Sequence, residues 1–144
     1  MEQPITFWSL ITSGKKIVIP TIQRDYAQGR IGKEYLRCNF LETIKSALLD
    51  VNKPLTMDFV YGADEETRFV PLDGQQRLTT LWLLHWYVAY KSEILEEVRE
   101  KLINFAYETR ISSTQFCEAL CSLMPQPIEI NNNKNDAIIP LKNW

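Results

Sequence analysis

Residues 69–90 read FVPLDGQQRLTTLWLLHWYVAY, and no other stretch limits the fold as strongly. The run up to Leu72 reads as a short buried strand, bounded by Pro71 and Gly74. The chain turns through Asp73 and Gly74 and enters a segment of helical character, with Asp73 placed to cap its first amides. Beyond Arg77 only Thr79, Thr80 and His85 interrupt the apolar residues up to Ala89. A helix apolar on nearly all sides is expected to be buried on nearly all sides, so the rest of the domain must pack around it. Asp73, Gln75, Gln76 and Arg77 then stand at the mouth of the most deeply packed element. Helix-start amides beside an arginine form a natural anion site. A capping aspartate flanked by solvated glutamines would give the same local pattern, and spacing alone leaves both readings open.

The remainder supplies elements for that packing. Residues 5–13 carry apolar side chains at helical spacing and stop before Gly14. Residues 15–20 form a brief β-branched strand closed by Pro20. From 34 to 51, Tyr35, Leu36, Phe40, Leu41, Ile44, Ala47 and Leu48 recur every three or four positions, which predicts an amphipathic helix. Residues 55–62 alternate as a strand and pair across an acidic turn with residues 68–72 in an expected hairpin. A charged helix is expected over 92–102, a short strand over 105–107 and a further helix over 112–123, capped by Ser112 or Ser113. After Met124 the prolines and the asparagine cluster read as a linker. The expected organisation is a domain over 1–124, then a linker and the start of a following region over 125–144, in a chain that is a fragment of a longer protein.

Length and charge narrow the function. A chain of 144 residues can bury one real core. Its formal net charge of -2 argues against holding nucleic acid by bulk electrostatics, although a local basic patch stays compatible with it. No apolar run approaches a membrane span and no secretory leader is visible, so a cytoplasmic location is expected. Cys38, Cys117 and Cys121 lack zinc spacing and are expected to be reduced, partly buried thiols.

Two polar clusters each follow a short strand: Gln23-Arg24-Asp25-Tyr26 and Asp73-Gly74-Gln75-Gln76-Arg77. Strand ends are where open mixed folds place ligands, and arginine and glutamine donors suit phosphate oxygens. If the clusters face each other, they make a pocket for a phosphorylated ligand.

These residues carry a family resemblance. Ile19, Pro20, Gln23, Arg24 and Tyr26, followed by the nine-residue run 73–81, resemble the DGQQR family, the N-terminal domain of GmrSD-type modification-dependent restriction and related phage-defence proteins of prokaryotes. The likeness spans roughly residues 5–123. It implies a ParB/sulfiredoxin-like α+β fold: a small mixed sheet packed with several helices, with a central buried helix after the DGQQR turn. It also implies nucleotide binding and hydrolysis of a nucleoside triphosphate with Mg2+. On that footing Asp73, Gln76 and Arg77 would be catalytic. Gln23, Arg24, Tyr26, Gly74, Gln75, Gln76 and Arg77 would bind the nucleotide and its phosphates, and Asp73 would hold the metal. DNA would be engaged through the full-length protein, whose C-terminal effector domain is missing from this chain; oligomeric state is left open. Many members place an aromatic residue two positions past the tyrosine, where this chain has Gln28. The rival reading keeps the fold as a non-catalytic DNA-recognition module, with its arginines on DNA phosphates.

A nuclease site is not expected in this chain. Such a site of HNH type needs a general-base histidine and metal ligands, and the only histidine, His85, sits within the apolar helix, where a core role is expected. Trp82 and Trp86, one helical turn apart, are expected in the core as well, whereas Tyr26 in a polar loop is the candidate for stacking on a base. Incubated with plasmid DNA, magnesium and each nucleoside triphosphate in turn, the purified chain should leave the plasmid intact. Cleavage that survives replacement of Asp73 and Arg77 would reveal a different catalytic site. Cleavage lost with them would make the DGQQR cluster itself the nuclease.

Overall fold

The computed structural model describes residues 5–21, 31–32, 34–50, 52, 55–58, 60–108 and 111–122. Among these residues run five helices and four strands: α1 (Phe7–Ile11), β1 (Lys16–Ile19), α2 (Glu34–Leu49), β2 (Gly62–Asp64), β3 (Arg68–Pro71), α3 (Gln75–Lys91), α4 (Leu95–Leu102), β4 (Phe105–Tyr107) and α5 (Ile111–Ser122). The strands form one mixed sheet in the order β2-β3-β1-β4, and the fold is α+β as expected. β1 is parallel to both of its neighbours, while β2 is antiparallel to β3. A strand paired on both sides has no edge to wet, and β1 accordingly buries Ile17 and Ile19 almost completely.

One core cluster unites the sheet with α1, α3, α4 and α5. α3 contributes Leu78, Trp82, Trp86 and Ala89, spaced four, four and three residues apart, so they form a single stripe along the helix. Both tryptophans also use their polar ends. The indole Nε1 of Trp82 donates to Leu102 O and that of Trp86 to Leu120 O, each at 2.9 Å, tying α3 to the ends of α4 and α5. His85 Nδ1 donates to Leu81 O at 2.8 Å, and its ring packs against Phe7 and Trp8 of α1. His85 is thus partly buried and held by these contacts.

Several expectations need correction. The hairpin is displaced: residues 55–58 form no strand, and the partner of β3 is Gly62–Asp64, closed by Glu65 N donating to Arg68 O. Gly62 lies so close to β3 that an added Cβ would meet Val70 O at 2.1 Å. That approach sets the register, which alternation over 55–62 could not reveal. α3 is less enclosed than its composition implies, since Tyr87 and Val88 are half exposed. The next helix starts at Leu95 instead of residue 92. Ser92 caps α3 through its N–H to Val88 O, and Glu93 takes a left-handed φ of 60°, so the chain must turn before a helix can restart. Cys117 and Cys121 are buried and Cys38 is exposed, and among the described residues all three are free thiols. Burial pushes the Cys117 thiol up to about 12 and that of Cys121 up to about 11. Neither forms appreciable thiolate near neutral pH.

The indole bonds give a stability prediction. Trp82→Phe keeps most of the apolar surface but leaves Leu102 O without its donor in the core. The variant should lose about 1–3 kcal/mol, read as a lower urea midpoint at unchanged slope. An unchanged midpoint would mean that the α3–α4 tie contributes nothing.

Candidate anion site at the start of α3

The sheet topology brings together the ends of β1 and β3, the two strands that precede the motifs in sequence. Because β1 and β3 are parallel neighbours, with Lys16 opposite Arg68 and Ile17 opposite Phe69, the chain leaves both strands on the same side. β4 ends there too. Its following residue, Glu108, accepts from the backbone N and Oγ1 of Thr21 at 3.1 and 3.2 Å, while Glu108 N donates to Ile19 O. The exit of β1 is thus anchored beside the start of α3. Gln23, Arg24 and Tyr26, together with Gln28, lie outside the described residues.

On the β3 side the turn is built by backbone bonds. The amides of Leu72 and Asp73 both donate to Tyr61 O, at 2.9 and 3.2 Å. Gly74 then adopts φ 80° and ψ 7°, and its carbonyl accepts from Leu78 N as α3 begins. The N-cap is therefore Gly74 and not Asp73. A left-handed residue here carries no side chain over the first turn, which leaves that end of the helix approachable by a ligand. A Cβ at Gly74 would stand 2.6 Å from Val60 Cγ2 and 3.3 Å from Arg77 Nη2.

The motif side chains divide in role. Gln75 turns back, its Nε2 donating to Pro71 O at 3.0 Å, and so holds the turn. Gln76 and Arg77 face a cleft of about 430 Å3 with Leu36, Phe40, Thr43, Leu55, Thr56, Met57 and Asp58. The Arg77 side chain is 22 % exposed and lies between two carboxylates. Its Nη1 is 3.3 Å from Asp58 Oδ2 and its Nη2 is 3.6 Å from Asp73 Oδ2. Asp73 thus serves the arginine rather than the helix amides. Asp58 belongs to neither sequence cluster. It comes from a stretch that alternation assigned to a strand, and no local signal marks a pair formed across 19 positions.

The donor set limits how a metal could sit here. Among the described residues no three His, Cys, Asp or Glu side chains gather into a metal site. Asp73 and Asp58 are accessible carboxylates, but both are already occupied by one guanidinium. That arrangement suits a magnesium ion arriving on phosphate oxygens, with one protein carboxylate added, and does not suit an ion caged by protein alone.

The arrangement defines a class: an α+β domain in which a helix starts just past a strand end, with Gln76 and Arg77 of its first turn lining a part-apolar cleft. The chain matches the GmrSD restriction endonuclease N-terminal domain over residues 7–140, and it belongs to that family, in the setting of DNA restriction and phage defence. No curated protein and no solved structure matches it. No helix among the described residues is long and apolar enough to cross a membrane.

Gly74 and Gly14 give a paired test of the turn. Both have positive φ, 80° and 87°, but an added methyl at Gly14 would meet nothing within 4 Å. Gly14→Ala should cost only the backbone term of about 1–2 kcal/mol. Gly74→Ala must add the collision with Val60, and should lower the urea midpoint further. Equal midpoints would mean that Val60 moves aside freely and the turn is not tightly packed.

Proposed function

We propose that the domain binds a nucleoside triphosphate at the start of α3 and hydrolyses it slowly, as a regulatory unit of a cytoplasmic restriction protein. The observation that supports this most directly is that Gln76 and Arg77, at the N-terminus of a 17-residue helix, line one cleft. The cleft is lined by a guanidinium from the first turn of that helix, and phosphate is a ligand that can use both a guanidinium and the positive end of a helix dipole. Arg77 would hold phosphate oxygens. The first amides of α3, with Gly74 keeping side chains out of their way, would take a further oxygen, and the Gln76 amide would add a neutral donor. Asp73, beside Arg77, would orient the attacking water or contribute one carboxylate to magnesium. Bound with the nucleotide, magnesium supplies neutralisation of the phosphate charge. Gln23, Arg24 and Tyr26 would complete the pocket from the neighbouring strand end.

Coupling to DNA cleavage would run from this pocket to a C-terminal effector in the full-length protein. Use of the same arginines on DNA phosphates is disfavoured by Asp58 and Asp73, which flank Arg77 with negative charge, and by the chain's net charge of -2.

Arg77→Ala is the direct test. Losing a charge-assisted contact to phosphate should weaken nucleotide binding roughly ten- to more than a hundredfold, with melting unchanged. A parallel fall in melting temperature would make Arg77 a structural residue and remove the support for this assignment. Binding that instead falls steeply with salt for DNA, and is absent for nucleotides, would favour the DNA-recognition module.

A further inference from the structure

The cleft has more lining than the groups that phosphate would use. Besides Gln76, Arg77 and Asp58, its wall has an apolar component: Leu36 and Phe40 of α2 with Leu55 and Met57. Only Thr43 and Thr56 add hydroxyls to that apolar wall. Its volume, about 430 Å3, falls within the range of small-molecule sites, which are mostly apolar with a few placed polar groups. Leu36 and Phe40 lie four residues apart, on one face of α2, so an aromatic and an aliphatic side chain present a continuous surface.

We propose that the cleft between α2 and residues 55–58 is the nucleoside half of the site, with the base against Phe40, Leu36 and Met57 and the phosphates at Gln76 and Arg77. The assignment rests on the nucleotide reading of Arg77 given above. The lining favours a nucleoside over an apolar peptide segment, because one cleft combines a guanidinium and a carboxylate with four apolar side chains. A flat ring with polar edges also matches a wall of four apolar side chains and two hydroxyls. Asp58 takes a defined part in this arrangement. Its side chain is 92 % exposed, yet it contacts an arginine that is only 22 % exposed. A ligand phosphate reaching Arg77 Nη1 would displace it into water at little cost, since exposed ion pairs contribute about 0–1 kcal/mol.

The experiment compares ATP with inorganic tripolyphosphate, each with magnesium, by calorimetric titration of the purified chain. If the cleft holds the nucleoside, ATP binds more tightly than tripolyphosphate, and Phe40→Ala weakens ATP about five- to a hundredfold, the range for loss of an aromatic platform beneath a base. Tripolyphosphate affinity should be unmoved by that change. Thr43→Phe, at an exposed position, fills the cleft without removing core, and should produce the same selective loss even if Phe40→Ala fails to fold. Equal affinities for ATP and tripolyphosphate, both lost in Arg77→Ala, would overturn the nucleoside assignment and leave the phosphate site standing. Binding of both ligands that is indifferent to Arg77→Ala would overturn the two together.

Discussion

Parallel pairing of β1 with β3 is the constraint on which the rest of the molecule turns. Parallel neighbours cannot be joined by a tight hairpin and need a long crossover. Here that connection carries α2 and β2, and it separates residues 16–19 from residues 68–71 in sequence while placing them side by side. Pairing β1 also with β4 on its other side makes three parallel strands end along one edge. α3 starts just past the end of β3, and its Thr79 Oγ1 lies 3.0 Å from Tyr107 Oη at the end of β4, so the first turns of the helix stand by the end of the sheet where these strands finish. The Glu108–Thr21 bonds reinforce this, since they tie the exits of β1 and β4 together at the edge from which α3 departs.

Sequence was most informative where one local force dominates. The β-branched run of β1, the periodicity of α2, the short strand β4 and the helix α5 were each legible within a residue or two, because each is decided by side chains that are neighbours along the chain. It was least informative where a tertiary contact decides. β2 was placed too early because its register depends on Gly62 lying against Val70 O, a contact that alternation does not encode. Residue 92 reads as a helix start, but Ser92 is already used as the end of α3. Asp73 has the sequence signature of a cap, yet the glycine after it takes the left-handed conformation and the carboxylate goes to Arg77 instead. Of the candidate site, Gln76 and Arg77 were found from the motif, whereas Asp58 and the α2 wall were not. Nothing within reach of 19 positions announces that an aspartate will meet an arginine.

The DGQQR turn shows how much can be asked of a few backbone positions. Tyr61 O accepts two successive amides, Gly74 reverses the chain at positive φ, and Gln75 closes back on Pro71 O. Each bond fixes where α3 begins to within a fraction of a turn. That precision matters because Gln76 and Arg77 are neighbours on the helix, and about 100° of rotation would carry one of them off the cleft. The glycine therefore has two jobs with one physical cause. Lacking a Cβ, it can take the left-handed turn, and it can do so against Val60 without pushing the arginine away.

Electrostatics then separates two uses of such a site. Arg77 brings one positive charge, and Asp58 and Asp73 bring two negative ones within 3.6 Å of it. Seen from beyond a Debye length of about 8 Å, the group does not attract an anion, and the chain as a whole carries -2. A polyanion such as DNA, held mainly by summed long-range attraction, gains little from that surface. Attraction must instead come from contacts made at close range: the helix amides, the guanidinium fork once Asp58 has been displaced, and a cation carried on the ligand itself. On the proposed reading, all three would favour a small phosphorylated ligand that enters the cleft with its own magnesium over an extended backbone lying across the outside. The carboxylates that weaken the arginine as a surface charge are the same ones that would keep it aligned for a ligand able to replace them.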